Sequence, residues 1–194
     1  MKPGLSRALL ILATLSALTF TSARADDVSD ALKAANAAYA AGDLAGTGSN
    51  LAMATQALGT RQSAMLAALL PAAPAGWTRE DTADFNKSFG IVGGGSGAEA
   101  TYTSADGNTS FKMSYIADNP MVGGMAGMLG NAQMMALMGK VIKVGDQPLL
   151  SQDSSISTLV NARVLFQAAG AADDIMLPLV QAIDFAKVGT FDKK

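Results

Sequence analysis

The chain has 194 residues, 49% hydrophobic and 15% charged, with a formal net charge of −2 and neither cysteine nor histidine. Without those two residue types there is no zinc finger, no disulfide framework, no thiol nucleophile, no Ser-His-Asp triad and no histidine-based metal or proton site.

The segment 1–25 reads as a secretory signal peptide. Lys2 and Arg7 form a positive start, the run from Ala8 to Phe20 is uncharged and mostly apolar, and Ala23-Arg24-Ala25 offers a small-x-small cleavage site. The run falls short of the ~20 apolar residues that span a bilayer. Cleavage is expected after Ala25, giving an exported, periplasmic or secreted protein. No Cys follows the run, so lipid anchoring through an N-terminal Cys is excluded. Lys2, Arg7 and Arg24 leave with the segment, so the basic count falls from 14 to 11 against 16 acidic, a net charge of −5 for the chain from Asp26 onward. A mildly acidic chain without a basic cluster is not suited to nucleic acid or an anionic membrane.

Composition changes near residue 71, which divides the remainder into residues 26–70, expected to form a helical hairpin, and residues 71–194, expected to form an α+β domain. Asp30 is placed to cap a helix through Leu32, Ala35 and Tyr39, which Gly42-Asp43 stops. A second helix is expected from Ser49 to Leu70. Its Leu51, Ala54, Leu58, Met65 and Leu69 form a stripe suited to facing a neighbour. Ala38-Tyr39-Ala40-Ala41-Gly42-Asp43-Leu44 resembles the turn of a tetratricopeptide repeat, in which Tyr-x-x-Gly-Asp joins two helices. That resemblance covers one hairpin, and it implies a hairpin docked on its own domain or on a partner.

Beyond Trp77, Thr78-Arg79-Glu80-Asp81 reads as a helix-capping segment. Gly93 to Gly97 reads as a flexible connection or bulge, because no Lys follows it to complete a phosphate loop and the next residues alternate as a strand. Ala98, Ala100 and Tyr102 share one strand face. Asp106-Gly107-Asn108 is a turn, and Phe111, Met113 and Tyr115 share a face of the returning strand. A helix is expected over Met121–Gly139, then strands over Lys140–Val144, Ser155–Val160 and Arg163–Ala168, with turns at Gly145-Asp146 and Asn161-Ala162. A closing helix over Asp173–Phe185 tolerates Pro178 only near its first turn. The fold class is therefore α+β: an N-terminal helical hairpin, then a mainly antiparallel sheet with two covering helices on one face. This layout resembles small exported proteins of proteobacteria and, loosely, the Mog1/PsbP-like sandwich.

Two features bear on function. Paired carboxylates at Asp26/Asp27, Glu80/Asp81 and Asp173/Asp174 sit beside expected helix starts, and none shows the spacing of a catalytic or calcium-binding set. No catalytic motif stands out, so a non-enzymatic role is expected. The second feature is methionine: six of the 11 cluster in one short stretch, at Met121, Met125, Met128, Met134, Met135 and Met138. On a continuous helix Met121, Met125, Met128 and Met135 lie within about 80° of one another, at about 100° per residue. This segment reads either as cover for the sheet, as a deformable apolar surface for a protein, peptide or lipid partner, or as a soft thioether site for Cu(I). The leading expectation is a binding or accessory protein acting through all six methionines. The alternative is a periplasmic Cu(I)-binding protein using Met121, Met125, Met128 and Met135, with no other cofactor.

Overall fold

The computed structural model describes residues 26–83, 85 and 94–193. The expected signal peptide and its cleavage point, with Gly93, lie outside the described residues.

Asp26, rather than Asp30, caps the first helix, α1 (Asp27–Ala40): its carboxylate accepts the Val28 N–H at 3.3 Å, and Asp30 falls in the first turn. At the far end the Gly42 N–H donates to the Tyr39 carbonyl and the Asp43 N–H to the Ala38 carbonyl, at 3.0 and 2.9 Å. This paired closure needs a left-handed residue, supplied by Gly42 at φ +76°. Asp43 then caps α2 (Leu44–Ala67) by accepting the Gly46 N–H at 2.8 Å. The second helix thus starts at Leu44 rather than Ser49, because a stop signal and a start signal share one turn. Arg61 meets Asp26 at 2.8 Å across the open end of the hairpin.

Among the described residues, seven strands form one antiparallel sheet: β1 (Trp77–Asp81), β2 (Ser96–Ser104), β3 (Ser110–Ala117), β4 (Lys140–Val144), β5 (Gln147–Gln152), β6 (Ser155–Val160) and β7 (Val164–Ala169), in the order β1-β2-β3-β7-β6-β5-β4. Two meanders are thus joined by the pairing of β3 with β7. The expected hairpin is present with Tyr102 opposite Phe111, Ala100 opposite Met113 and Ala98 opposite Tyr115. Thr78-Arg79-Glu80-Asp81, expected to cap a helix, instead forms most of β1. It lies at the sheet edge, where charged side chains discourage further strand pairing. β5 is not among the strands expected from the sequence, where Pro148 argues against one. Backbone pairing with β6 begins only at Leu150, so no β6 carbonyl needs the N–H that Pro148 lacks; the Thr158 hydroxyl donates to the Pro148 carbonyl at 2.7 Å instead.

One sheet face carries the larger core. Tyr102, Phe111, Met113, Tyr115, Ile156 and Phe166 are all buried there, beneath the end of α2 (Leu66, with Leu70 beyond it) and the two C-terminal helices α6 (Asp173–Gln181) and α7 (Phe185–Val188). The core therefore continues across residue 70. Aromatic rings run through it: Tyr102 stacks on Phe111 at 5.3 Å, and Phe166 meets Phe185 edge-on at 5.4 Å. Pro178 lies in the interior of α6, not its first turn. The carbonyl left without a helical donor there is that of Asp174, an exposed residue whose backbone water can reach.

The opposite face is covered too, which one-face packing did not anticipate. Between β3 and β4 the chain forms α3 (Pro120–Gly124), α4 (Ala126–Leu129) and α5 (Ala132–Met138). Val122, Leu129 and Met135 from these helices bury with Leu150, Leu159 and Leu165 from the sheet as a second cluster. The single helix expected across Met121–Gly139 is broken into three. Asn119 and Asn131 each start a new helix with a side-chain cap, and glycines at 123, 124, 127 and 130 lower the propensity to run through.

Candidate functional site

The broken cover places the six methionines in three kinds of environment. Met121 on α3 is 70% exposed, Met128 on α4 and Met134 on α5 are each 41% exposed, and Leu137 beside them is 81% exposed. Met125 and Met138 are half-buried and pack against the cluster below. Met135 is fully buried in that cluster. It therefore contributes neither to a solvent-facing surface nor to an open thioether set, and its expected place in both is corrected. A common face for Met121, Met125, Met128 and Met135 needs one continuous helix, and here the helical pattern is interrupted after Gly124 and again at Asn131, whose backbone is extended.

The segment is fixed at its start. The Asn119 side chain accepts the Met121 N–H at 2.9 Å and donates to the Gly94 carbonyl at 2.7 Å. The glycine-rich stretch thereby holds α3 rather than cradling a phosphate. Gly94 and Gly95 adopt φ of +88° and +110°, and a Cβ on Gly95 would lie 2.8 Å from the Ala117 carbonyl oxygen. The other end closes where the Gly139 N–H donates to the Met135 carbonyl at 3.0 Å. The result is a cover anchored by buried apolar side chains underneath, with soft apolar side chains pointing outward.

One member of each carboxylate pair is held by a neighbouring group. Asp26 caps α1 and binds Arg61. The Ser151 hydroxyl donates to Asp173 in the first turn of α6. On β1, Asp81 accepts from Arg79 at 2.7 Å. Among the described residues no group of three or more His, Cys, Asp or Glu side chains is placed to hold a metal ion.

Three further features were not legible in the sequence. A cavity of about 870 Å³ lies between α2 and the start of β2, lined by Ser63, Ala64, Thr82, Gly95 and Glu99 among others. Glu99 there already accepts from Thr82 and Lys112, at 3.0 and 2.9 Å. Arg163 forks onto both Asp118 and Asp192, with all four contacts between 2.6 and 2.8 Å, and lies 5.1 Å over the Phe191 ring. Hydrogen bonds from this guanidinium hold the Asp192 carboxyl down at about 2. Finally, Arg79 reaches across to the end of α2 and donates to the carbonyls of Ala67, Leu70 and Pro71. The Tyr102 hydroxyl shares the Pro71 carbonyl at 2.6 Å, and burial pushes its phenol up to about 12. Residues this far apart in sequence carry no local pattern that pairs them.

The hairpin also departs from expectation. Of its stripe, Ala54 is buried while Leu51, Leu58 and Met65 remain 47%, 45% and 38% exposed. No helix among the described residues is long and apolar enough to cross a membrane. No protein-family model, curated protein or solved structure matches this chain.

Proposed function

We propose that the chain is an exported, non-enzymatic binding or accessory protein whose α3–α5 cover is its partner surface. The observation that supports this reading is the two-sided construction of the cover. Val122, Leu129 and Met135 fasten it to the sheet, while Met121, Met128, Met134 and Leu137 stand in solvent where burial would favour them. Unbranched thioether side chains adapt to irregular apolar contours, which suits a protein, peptide or lipid partner better than a rigid, polar ligand. The partner surface is thus Met121, Met128 and Met134, flanked by Met125 and Met138, without Met135.

The test is capture from a periplasmic extract by the wild-type protein and by a Met121→Gln/Met128→Gln/Met134→Gln variant. All three positions are solvent-exposed, so the variant keeps its fold by circular dichroism. The reading expects a partner retained by the wild type and lost by the variant. Identical captured sets from both proteins defeat it.

A further inference from the structure

The α1–α2 hairpin leaves a long apolar seam without a partner. On α1, Leu32 and Tyr39 are 49% and 67% exposed; on α2, Leu44, Leu51, Leu58 and Met65 are 71%, 47%, 45% and 38% exposed. The α1 pair is separated by seven positions, and the α2 residues recur every seven. At about 100° per residue, Leu32 and Tyr39 lie roughly 40–60° to one side of Ala35, the buried residue of α1. The α2 stripe lies about 20–80° to the same rotational side of Ala54, the buried residue of α2 that belongs to neither sheet cluster. Two antiparallel helices that face each other bring equal rotations to the same side of the pair. All six side chains therefore flank one groove, along a helix of 24 residues, or about 36 Å.

We propose that this seam is a self-association surface, on which a second copy of the chain lays its own hairpin to make an antiparallel four-helix bundle about a two-fold axis. Three observations select that occupant. A repeat of seven is the spacing that keeps a stripe against another helix, whereas a sheet or a flat surface imposes no such period. The exposed area is sufficient: at roughly 100 Å² for each of the six side chains, two copies would bury about 1,200 Å², the lower bound for a stable, specific interface. Charge argues against the other occupants. Arg61 is the only charged residue within α2, and Asp26 already engages it; on α1, Asp27, Asp30 and Lys33 lie about 100° or more from Leu32 and Tyr39, so the groove presents no free charge to a charged partner or an anionic lipid headgroup. Ala makes up 6 of the 14 residues of α1, and Ala with Gly 9 of the 24 of α2, which lets backbones approach closely once the larger side chains interdigitate. A two-fold interface is self-complementary by construction, so one patch suffices for both partners.

Sedimentation across a concentration series tests this on the purified protein as the expressing cells process it. The proposal expects a monomer–dimer equilibrium. Leu51→Glu/Leu58→Glu should weaken it about 100-fold or more, since four apolar side chains leave the interface of each dimer. Both positions are solvent-exposed in the monomer, so far-ultraviolet circular dichroism and the melting temperature of the dilute variant should match those of the dilute wild type. Met53→Gln, on the other side of the hairpin and 50% exposed, should leave the equilibrium unchanged. A wild type that stays monomeric up to ~1 mM, the weak end of the affinity scale, overturns the proposal. A dimer that persists in the double variant also overturns it. So does a monomer that instead sediments with phosphatidylcholine–phosphatidylglycerol vesicles.

Discussion

Replacing Arg79 by Met removes the cation that fastens the helical hairpin to the sheet. Its guanidinium donates to the carbonyls of Ala67, Leu70 and Pro71 at 2.9, 2.8 and 3.2 Å, and the side chain is only 19% exposed. The Leu70 and Pro71 carbonyls lie just past the end of α2, where no further helical N–H reaches them, while the Ala67 carbonyl also accepts from the Leu70 N–H at 3.2 Å and the Pro71 carbonyl from the Tyr102 hydroxyl. A hydrogen bond to a charged group contributes about 1.5–3 kcal/mol net; because one cation serves all three acceptors, which water can partly rehydrate, the expected loss is about 3 kcal/mol. For a chain of this size that corresponds to a fall in melting temperature of about 6–12 °C. Lys at the same position keeps the charge but cannot span three acceptors with a fork, so Arg79→Lys should recover about half of the loss. Asp81→Asn removes only the ion pair on the half-exposed side, and should cost under ~0.5 kcal/mol. Urea unfolding followed by circular dichroism measures all three variants. An Arg79→Met variant within ~0.5 kcal/mol of wild type, or full restoration by Lys, would refute the clamp.

Three other outcomes are expected. The Asp192 carboxyl, held at about 2 against an ordinary value of 3.8, stabilises the fold above pH ~4, and that contribution fades as pH falls through about 2. Arg163→Met should therefore cost on the order of 2 kcal/mol at neutral pH and move acid unfolding to higher pH; an unchanged acid transition by intrinsic fluorescence rejects the link. Ala162 occupies φ +52° in the β6–β7 turn, so Ala162→Gly should stabilise by about 0.5–1 kcal/mol in chemical denaturation, against the usual cost of glycine. Met135→Ala should cost about 2–5 kcal/mol, whereas Met121→Ala should stay within ~0.5 kcal/mol. Mild peroxide followed by peptide mass analysis should oxidise Met121 well before Met135, and the reverse order would contradict the burial described.

The sequence was most informative where one interaction decides the outcome locally. Alternation put Ala98, Ala100 and Tyr102 on one face of a strand and Phe111, Met113 and Tyr115 on one face of the next; these residues stand opposite one another in the sheet, and Gly107 at φ +71° makes the turn between them. Local pattern is ambiguous where two local rules compete. Charges in Thr78–Asp81 satisfy a helix start as readily as an exposed strand edge, and pairing with β2 decides between them. Pro148 counts against a strand unless the neighbour has no carbonyl to offer its missing N–H, which is a property of β6 rather than of β5. The methionine segment failed for a related reason. Spacing identifies a face only while the helix continues, and the segment is interrupted at Met125 and restarted by the cap at Asn131.

The distribution of buried aromatics explains why apolar surface remains for association. The ring pairs of the core join Trp77, Tyr102, Phe111, Tyr115, Phe166 and Phe185, which belong to the sheet and α7. The hairpin contributes Leu66 and Leu70 to that core and, over α1 and α2, otherwise buries only Ala35 and Ala54. An alanine hidden between two helices removes little apolar area, so the outer half of the hairpin gains little from packing on its own chain. Leu32, Leu44, Leu51 and Leu58 carry the area that such a helix pair would ordinarily bury. Short of a partner, the hairpin's outer turns should exchange amide hydrogens much faster than β3 and β7; with the seam covered, they should slow together, and only as protein concentration rises.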